Sequence, residues 1–368
     1  MRQSPSPPWR VVPWQAMQTP AAVASWDALA LRAVEPNPFF ESWFLLPALK
    51  GLDTACKVEL LLLESGEDLL GLMPVVRQAR YYGRPIPHLS GWMHPNGLIG
   101  APLVVAGMEQ AFWQALLAWA DAQGGVALFL HLADLPLEGV LADGLRQALA
   151  ADGRLAALVG QRNEVMLRSN LAPEAYYEAS VSAKKRKEYR RQANRLSDLG
   201  EVQICRQSDD VGLEGWTQDF LDLEASGWKG EAGSALASAS HTEQLWRQSL
   251  KGAAQRRRLE RLSLTLDNRP IAMLASFITP PAAFMFKTCF DESLAAFSPG
   301  VLLQRENLAM LNHPDVQWVD SCADESHPMI GHLWRERRRM GALSIAIGGG
   351  VRRAVFAPMA LRERVGQV

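Results

Sequence analysis

The sequence predicts an α/β protein of mixed sheets arranged as two similar halves, and three observations carry that reading. At 368 residues the chain is longer than one core usually organises, so two domains are expected. Between Arg261 and Phe290 three apolar runs succeed one another through turn signals at Asp267-Asn268 and Pro280-Pro281, the signature of an antiparallel meander. An order of meander, helix, strand, helix, strand recurs loosely in both halves, which points to a structural repeat.

In the first half an aromatic-rich helical segment, Phe39 to Leu49, precedes strands at Lys57 to Glu64 and Asp68 to Arg77. A Gly/Pro-rich passage, Tyr82 to Gly100, leads to a helix from Glu109 to Gln123. A strand at Val126 to Leu132, a helix from Leu137 to Ala151 and a strand at Asn163 to Arg168 close it. The second half opens on a basic helix, Ala183 to Leu196, then a strand at Val202 to Arg206 and helices from Val211 to Ser226 and His241 to Gly252. In the meander, Leu262, Leu264 and Leu266 alternate with polar residues, whereas Ile271 to Ile278 is apolar throughout and reads as a central strand. A helix after Phe297, a strand at Val316 to Asp320, a helix from Pro328 to Met340 and short strands at Leu343 to Ile347 and Arg352 to Phe356 complete the prediction. The boundaries that follow are a frayed tail over residues 1–20, a first domain over 21–175 and a second over 176–368.

Composition narrows the function. With 38 Lys and Arg against 39 Asp and Glu the net charge is −1, so any polyanion site must be local. Met1 to Pro20 is Pro-rich and polar and does not read as a secretory signal. The longest apolar stretches, at Leu60 to Leu63 and Leu98 to Ala106, are too short to span a bilayer. Cys56, Cys205, Cys289 and Cys322 lie far apart, as reduced thiols of a cytoplasmic protein would, without disulfide or metal spacing.

The most informative local motif is Phe297-Ser298-Pro299-Gly300 between the last meander strand and its helix. Ser298 is a favoured N-cap type, Pro299 suits the first helical position, and Gly300 admits a close ligand. Unpaired N–H groups and the positive end of the helix dipole would then face an anion. Lys287, embedded in an otherwise apolar strand, must face a cleft, a phosphate or a carboxylate such as Asp320, or snorkel from a sheet edge.

The second-half order resembles the GNAT acyltransferase superfamily, and in particular the branch with two GNAT-like domains that includes Fem-type aminoacyltransferases and CelD/BioF2-like acetyltransferases of polysaccharide pathways. The resemblance rests on Lys184-Lys185-Arg186-Lys187-Glu188-Tyr189-Arg190-Arg191, on Gly227-Trp228-Lys229-Gly230 with Gly233, on Phe290-Asp291 before Phe297 to Leu303, and on Asp320. It covers residues 180 to 340 well and the first half by pattern. Two departures stand out: Phe297 and Leu302 occupy the outer positions of the GNAT loop, and no aromatic-Lys pair follows Asp320.

The resemblance implies an N-acyltransferase in which an amine attacks the thioester of acetyl-CoA or another acyl-CoA, with no metal. Ser298, Pro299, Gly300, Val301, Leu302 and Leu303 become the donor-binding loop. Asp320 and His327 are the leading proton acceptors, with Glu325 and Lys287 also catalytic candidates. Backbone N–H groups at the end of the strand before the loop would hold the oxyanion. Trp228 and Lys229 are candidates for the acceptor platform, an amino sugar or other lipid-linked or small-molecule envelope saccharide. Asp320 could equally end a strand, and Trp228 could plug a domain junction. Seven of the twelve residues from Lys184 to Arg195 are Lys or Arg, which suits either phosphate contact or a solvated face. Two further readings stay open: Fem-type transfer from aminoacyl-tRNA to a peptidoglycan precursor, and a non-catalytic scaffold of polysaccharide assembly. Membrane contact, if any, would be peripheral.

Overall fold

The computed structural model describes residues 8–327 and 329–365. In chain order its strands are β1 (Trp9–Pro13), β2 (Glu59–Ser65), β3 (Asp68–Gln78), β4 (His88–Gly91), β5 (Leu103–Val104), β6 (Phe129–Pro136), β7 (Ala156–Leu167), β8 (Val202–Gln207), β9 (Leu259–Leu266), β10 (Arg269–Thr279), β11 (Ala282–Phe290), β12 (Trp318–Asp324) and β13 (Glu336–Ala346). The helices are α1 (Pro20–Ala30), α2 (Ser42–Leu52), α3 (Glu109–Gln123), α4 (Val140–Ala151), α5 (Pro173–Ser180), α6 (Ala183–Ser197), α7 (Leu213–Ala225), α8 (Trp228–Glu231), α9 (Ser240–Gln255), α10 (Pro299–Asn307) and α11 (Gly350–Glu363). Two compact units result, one of residues 8–162 with 339–365 and one of residues 163–338.

In the first unit the strand order is β1-β2-β3-β4-β6-β13-β7, with β5 beside β3. Leu60 to Leu63 are completely buried, because residues of both pleat directions are covered. Trp26, Trp113 and Trp119 fill the space beneath the helices. The β1 to β4 strands pair antiparallel, and β4 then pairs parallel with β6.

The second unit repeats that switch. The predicted meander is present as β8-β9-β10-β11, antiparallel throughout, and β11 then pairs parallel with β12. On its far side β12 pairs antiparallel with residues Glu164 to Leu167 of β7. Ile271, Leu274, Leu303, Leu308, Val319 and Trp334 belong to one buried cluster around this sheet. In each unit one strand next to the parallel pair is borrowed along the chain: β13 returns from the C-terminal end to pair with β6.

That return corrects the end of the sequence reading, which gave all of 176–368 to the second domain. Residues 329–333 are turns, Trp334 and Arg335 have no regular structure, Glu336–Ala346 is one long strand, and Gly350–Glu363 is a helix. Pro328, the predicted helix start, lies outside the described residues. The run Arg335 to Arg339 mimics an exposed helix face, but alternate side chains of a strand find separate partners, Arg338 with Asp320 and Arg337 with the Trp334 carbonyl. Gly348-Gly349-Gly350 breaks the chain, and Phe356 and Ala360, four apart, supply the buried face of α11.

The tail is also shorter than predicted. Trp9 to Pro13 pairs with Glu59 to Leu63, and Arg10 forms an ion pair with Glu64. Residues 1–7 lie outside the described residues. Among those described, no helix is long and apolar enough to cross a membrane.

Candidate active site

The parallel pairing of β11 with β12 is confined to Ala282–Phe284 against Trp318–Asp320. Beyond it β11 runs on to Phe290 and β12 to Asp324 without pairing to each other. The strands therefore splay, and the backbone edge of β11 beyond Phe284 offers N–H and C=O groups to an extended ligand, as an exposed strand edge does.

Side chains with chemistry gather at this opening. Lys287 lies on the splayed part of β11, and Cys322 on the splayed part of β12 adopts a left-handed backbone at φ 54°. Burial first, and then nearby Lys229, bring the Lys287 ammonium down to about 8 against the opposing influence of Glu224 and Cys322. Lys229 itself is held by Glu224, its Nζ donating to Oε1 at 2.7 Å and to the Thr288 carbonyl at 3.4 Å. Glu224 is buried, and its other oxygen accepts from the Leu236 N–H at 2.7 Å.

Next to this group a cavity of about 140 Å³ is walled by Glu224, Trp228, Lys229, Phe290, His327 and Met329 among others. The packing of α8 against the end of α7 is set by glycine: a Cβ on Gly230 would stand 1.8 Å from the Ala225 carbonyl oxygen, so only glycine permits the tight turn that presents Lys229. Trp228 is 59% exposed and lines the cavity, and its backbone N–H donates to Glu292 Oε1 at 3.1 Å. His327 is half-buried; burial first, and then Lys229, hold its imidazole below its ordinary value. Its Nδ1 is buried and has no hydrogen-bond partner among the described residues.

The structure thus brings Lys287, Lys229, Trp228 and His327 to one place; Asp320 adjoins it through the backbone N–H of Cys322, and Glu325 is engaged elsewhere. Asp320 is wholly buried in the middle of β12, where Oδ1 accepts from the Cys322 N–H at 2.8 Å and Oδ2 lies 3.3 Å from Arg338. It fixes the left-handed corner at Cys322, which is a positioning task. Glu325 contacts Asn163 and Arg337 instead. Glu224, which anchors the cluster, was not singled out by sequence, because a lone acidic residue on an amphipathic helix carries no motif.

The donor loop differs from the expected cradle. Ser298 precedes α10 in a left-handed conformation, φ 53°, and its side chain makes no cap hydrogen bond. The Val301 and Leu302 N–H groups both bond to the Ser298 carbonyl, and the Ser298 N–H to Ala295, leaving Gly300 the one amide donor of that turn without a partner among the described residues. Pro299, Leu302 and Leu303 are buried, with Leu302 and Leu303 packed in the core. A Cβ on Gly300 would come within 2.8 Å of Met329 Sδ, so Met329 covers this turn.

Helix α6 lies alongside the approach to that turn, with the Arg195 guanidinium 5.4 Å from the centre of the Phe297 ring. Its charges are spread around it: Lys185 is exposed on another side, and Arg186 bonds back to the Val181 carbonyl at 3.1 Å. Tyr189, Ala193 and Leu196 pack inward, while Lys184, Lys187, Arg191 and Arg195 recur at helical spacing on one exposed line with Arg190 beside them. Among the described residues no three His, Cys, Asp or Glu side chains converge as a metal-ligand set.

Residues 183–327 match the model of the family described as an acetyltransferase (GNAT) domain. Among solved structures, FemX superposes with a TM-score of 0.57 at 10% identity, covering 92% of this chain and 98% of that one. A protein of unknown function from Bacteroides thetaiotaomicron superposes at 0.54 with 13% identity, over 88% and 97% respectively. At such identities the likeness is one of fold. No curated protein matches the sequence.

Proposed function

With residues 183–327 forming a GNAT-type acetyltransferase domain inside a FemX-like fold, we propose that this protein transfers an acyl group from acyl-CoA to an amine of an amino sugar or related envelope precursor. The observation that carries the reading is the convergence of Lys287, the Lys229–Glu224 pair and His327 at the open end of the β11/β12 splay. The amides of the donor's extended arm would pair with the free edge of β11, which places the thioester carbonyl among backbone N–H groups able to hold its oxyanion. The saccharide acceptor enters on the Trp228 side, and the reaction belongs to the cytoplasm.

In the reaction the amine nitrogen bonds to the thioester carbonyl carbon and the C–S bond breaks. His327, kept neutral at pH 7, accepts the proton that the nitrogen loses. Lys287, still mostly protonated at pH 7, supplies a proton to the departing thiolate. Its value of about 8 lies close to the roughly 8.5 of a free thiol, so the transfer is near balance. Following thermal stability of the purified protein against acetyl-CoA and longer acyl-CoAs tests the donor. A ligand at about 100 times its dissociation constant adds about 2.7 kcal/mol to the folded state. No rise with any acyl-CoA at saturation would remove this donor.

One alternative has support of its own. The amides of the α10 turn are largely used internally, and the exposed basic line of α6 adjoins it, which suits a larger polyanionic donor such as aminoacyl-tRNA in Fem-type transfer. A salt-sensitive gel shift with aminoacyl-tRNA, absent with acyl-CoA response, would favour it.

A further inference from the structure

The first unit holds a cavity of about 280 Å³ between α4, the end of β6 and the start of β13. Its walls include Trp113, Leu135, Leu141, Ala142, Leu145 and Leu343. The one polar atom of Trp113, its indole N–H, is already bonded to the Leu141 carbonyl at 2.9 Å, so the ring offers only an apolar face. Beside it β6 carries a bulge opposite Gly341–Leu343, with Asp134 in a left-handed conformation at φ 53°. A bulge re-aims the side chains beyond it, and here Leu135 is one of them.

Two guanidiniums are the charged groups among the lining residues, Arg146 and Arg339. Arg146 is engaged by Asp143 and by the Leu137 carbonyl at 3.3 Å. Arg339 is more available: its contact with Glu138 is 3.6 Å, and both side chains are about half exposed or more. The walls away from the two guanidiniums are aliphatic and aromatic, so an apolar guest gains by burial there, while a polar group placed against them would lose its hydrogen bonds. Hydrocarbon inside and a single negative charge at the mouth is therefore the complementary ligand.

We infer that this cavity binds one alkyl chain with an anionic head, a medium-chain fatty acid or the equivalent acyl chain of a larger anion. The site lies wholly within the first unit and is independent of the acyl-transfer reading.

Calorimetric titration of the full chain with decanoate and, separately, uncharged 1-decanol, both below their aggregation limits, tests it. Decanoate is expected to saturate at one site per chain. Ala142→Trp, which fills the cavity, abolishes that binding, and Arg339→Gln weakens decanoate about tenfold, the order of one charge-assisted hydrogen bond, without changing decanol. Equal affinity for decanoate and decanol in the wild type overturns the anionic head. Absent saturation, or unchanged binding in a folded Ala142→Trp protein, overturns the site. Should that variant not fold, hydrogen exchange of the wild type decides: decanoate must slow exchange in α4 and residues 339–343, and protection elsewhere or nowhere refutes the inference.

Discussion

Arg338 closes over Asp320: its guanidinium lies 3.3 Å from a carboxylate that is fully buried, and 4.8 Å from the centre of the Trp318 ring. A buried charge whose partner is removed is costly, so Arg338→Ala is expected to destabilise the fold by about 3–5 kcal/mol, measured by denaturant unfolding. Asp320→Asn keeps an oxygen that can accept from the Cys322 N–H and leaves the Arg338 guanidinium, 12% exposed, without its anion; it should cost less because that group can still reach solvent. If Asp320 only positions the Cys322 corner, the folded fraction of Asp320→Asn keeps kcat within about tenfold of the parent, the range of a misplaced rather than missing group. A kcat loss of about a thousandfold or more with an unchanged Tm would instead make Asp320 the base.

Lys287 gives a pH prediction with a definite sign. Burial disfavours its charged form, so the folded protein releases this proton near 8 while the unfolded chain holds it to about 10.5. The cost of burying the charge is fully present below about 8, and stability from this group rises as pH climbs from there towards 10.5. Lys287→Met is expected to raise Tm at pH 7, with the gain fading by about pH 10. The same substitution should lower kcat and erase the alkaline limb of its pH profile near 8. A parent profile flat from 7 to 9 would separate Lys287 from proton transfer.

The meander was legible because strand alternation and the turns at Asp267-Asn268 and Pro280-Pro281 are local signals. The helix after Ser298 was equally local, as Pro299 at its first position shows. What escaped depends on distant partners. The strand character of Glu336–Ala346 comes from β6 and from Asp320, neither of which a charged run can announce. Glu224 gains meaning only when the turn at Gly230 brings Lys229 back to it. Lys287 was readable as a charge in an apolar strand and His327 as a candidate base following the Asp320 strand, whereas their common dependence on Lys229 needed the fold.

Gly230→Ala tests that turn. The new methyl would meet the backbone oxygen of Ala225, which cannot move aside as a side-chain tip could. The loop must therefore re-form, and a loss of roughly 1–3 kcal/mol in stability is expected, the range for overpacking. Activity should fall further than stability because Lys229 leaves Glu224. A variant with parental KM and kcat would show that the Lys229–Glu224 pair has no part in the site.

The exposed line of α6 is the last testable element. Lys184, Lys187 and Arg191 face solvent, and Arg191 is paired only along its own helix with Glu188, so replacing all three by Gln should leave the fold within about 0.5 kcal/mol of the parent. Their value would lie in attracting phosphates towards the turn beside Phe297. The triple variant is therefore expected to raise KM for the polyanionic donor severalfold at low salt with kcat unchanged, and to flatten the salt dependence of kcat/KM, since fewer charges remain to be screened. Steady-state kinetics between about 50 and 300 mM salt, spanning the range where screening shortens to below 10 Å, would read both effects. An unchanged salt slope would return this helix to a solvated face, and donor recognition would then rest on the Gly300 turn and the β11 edge alone.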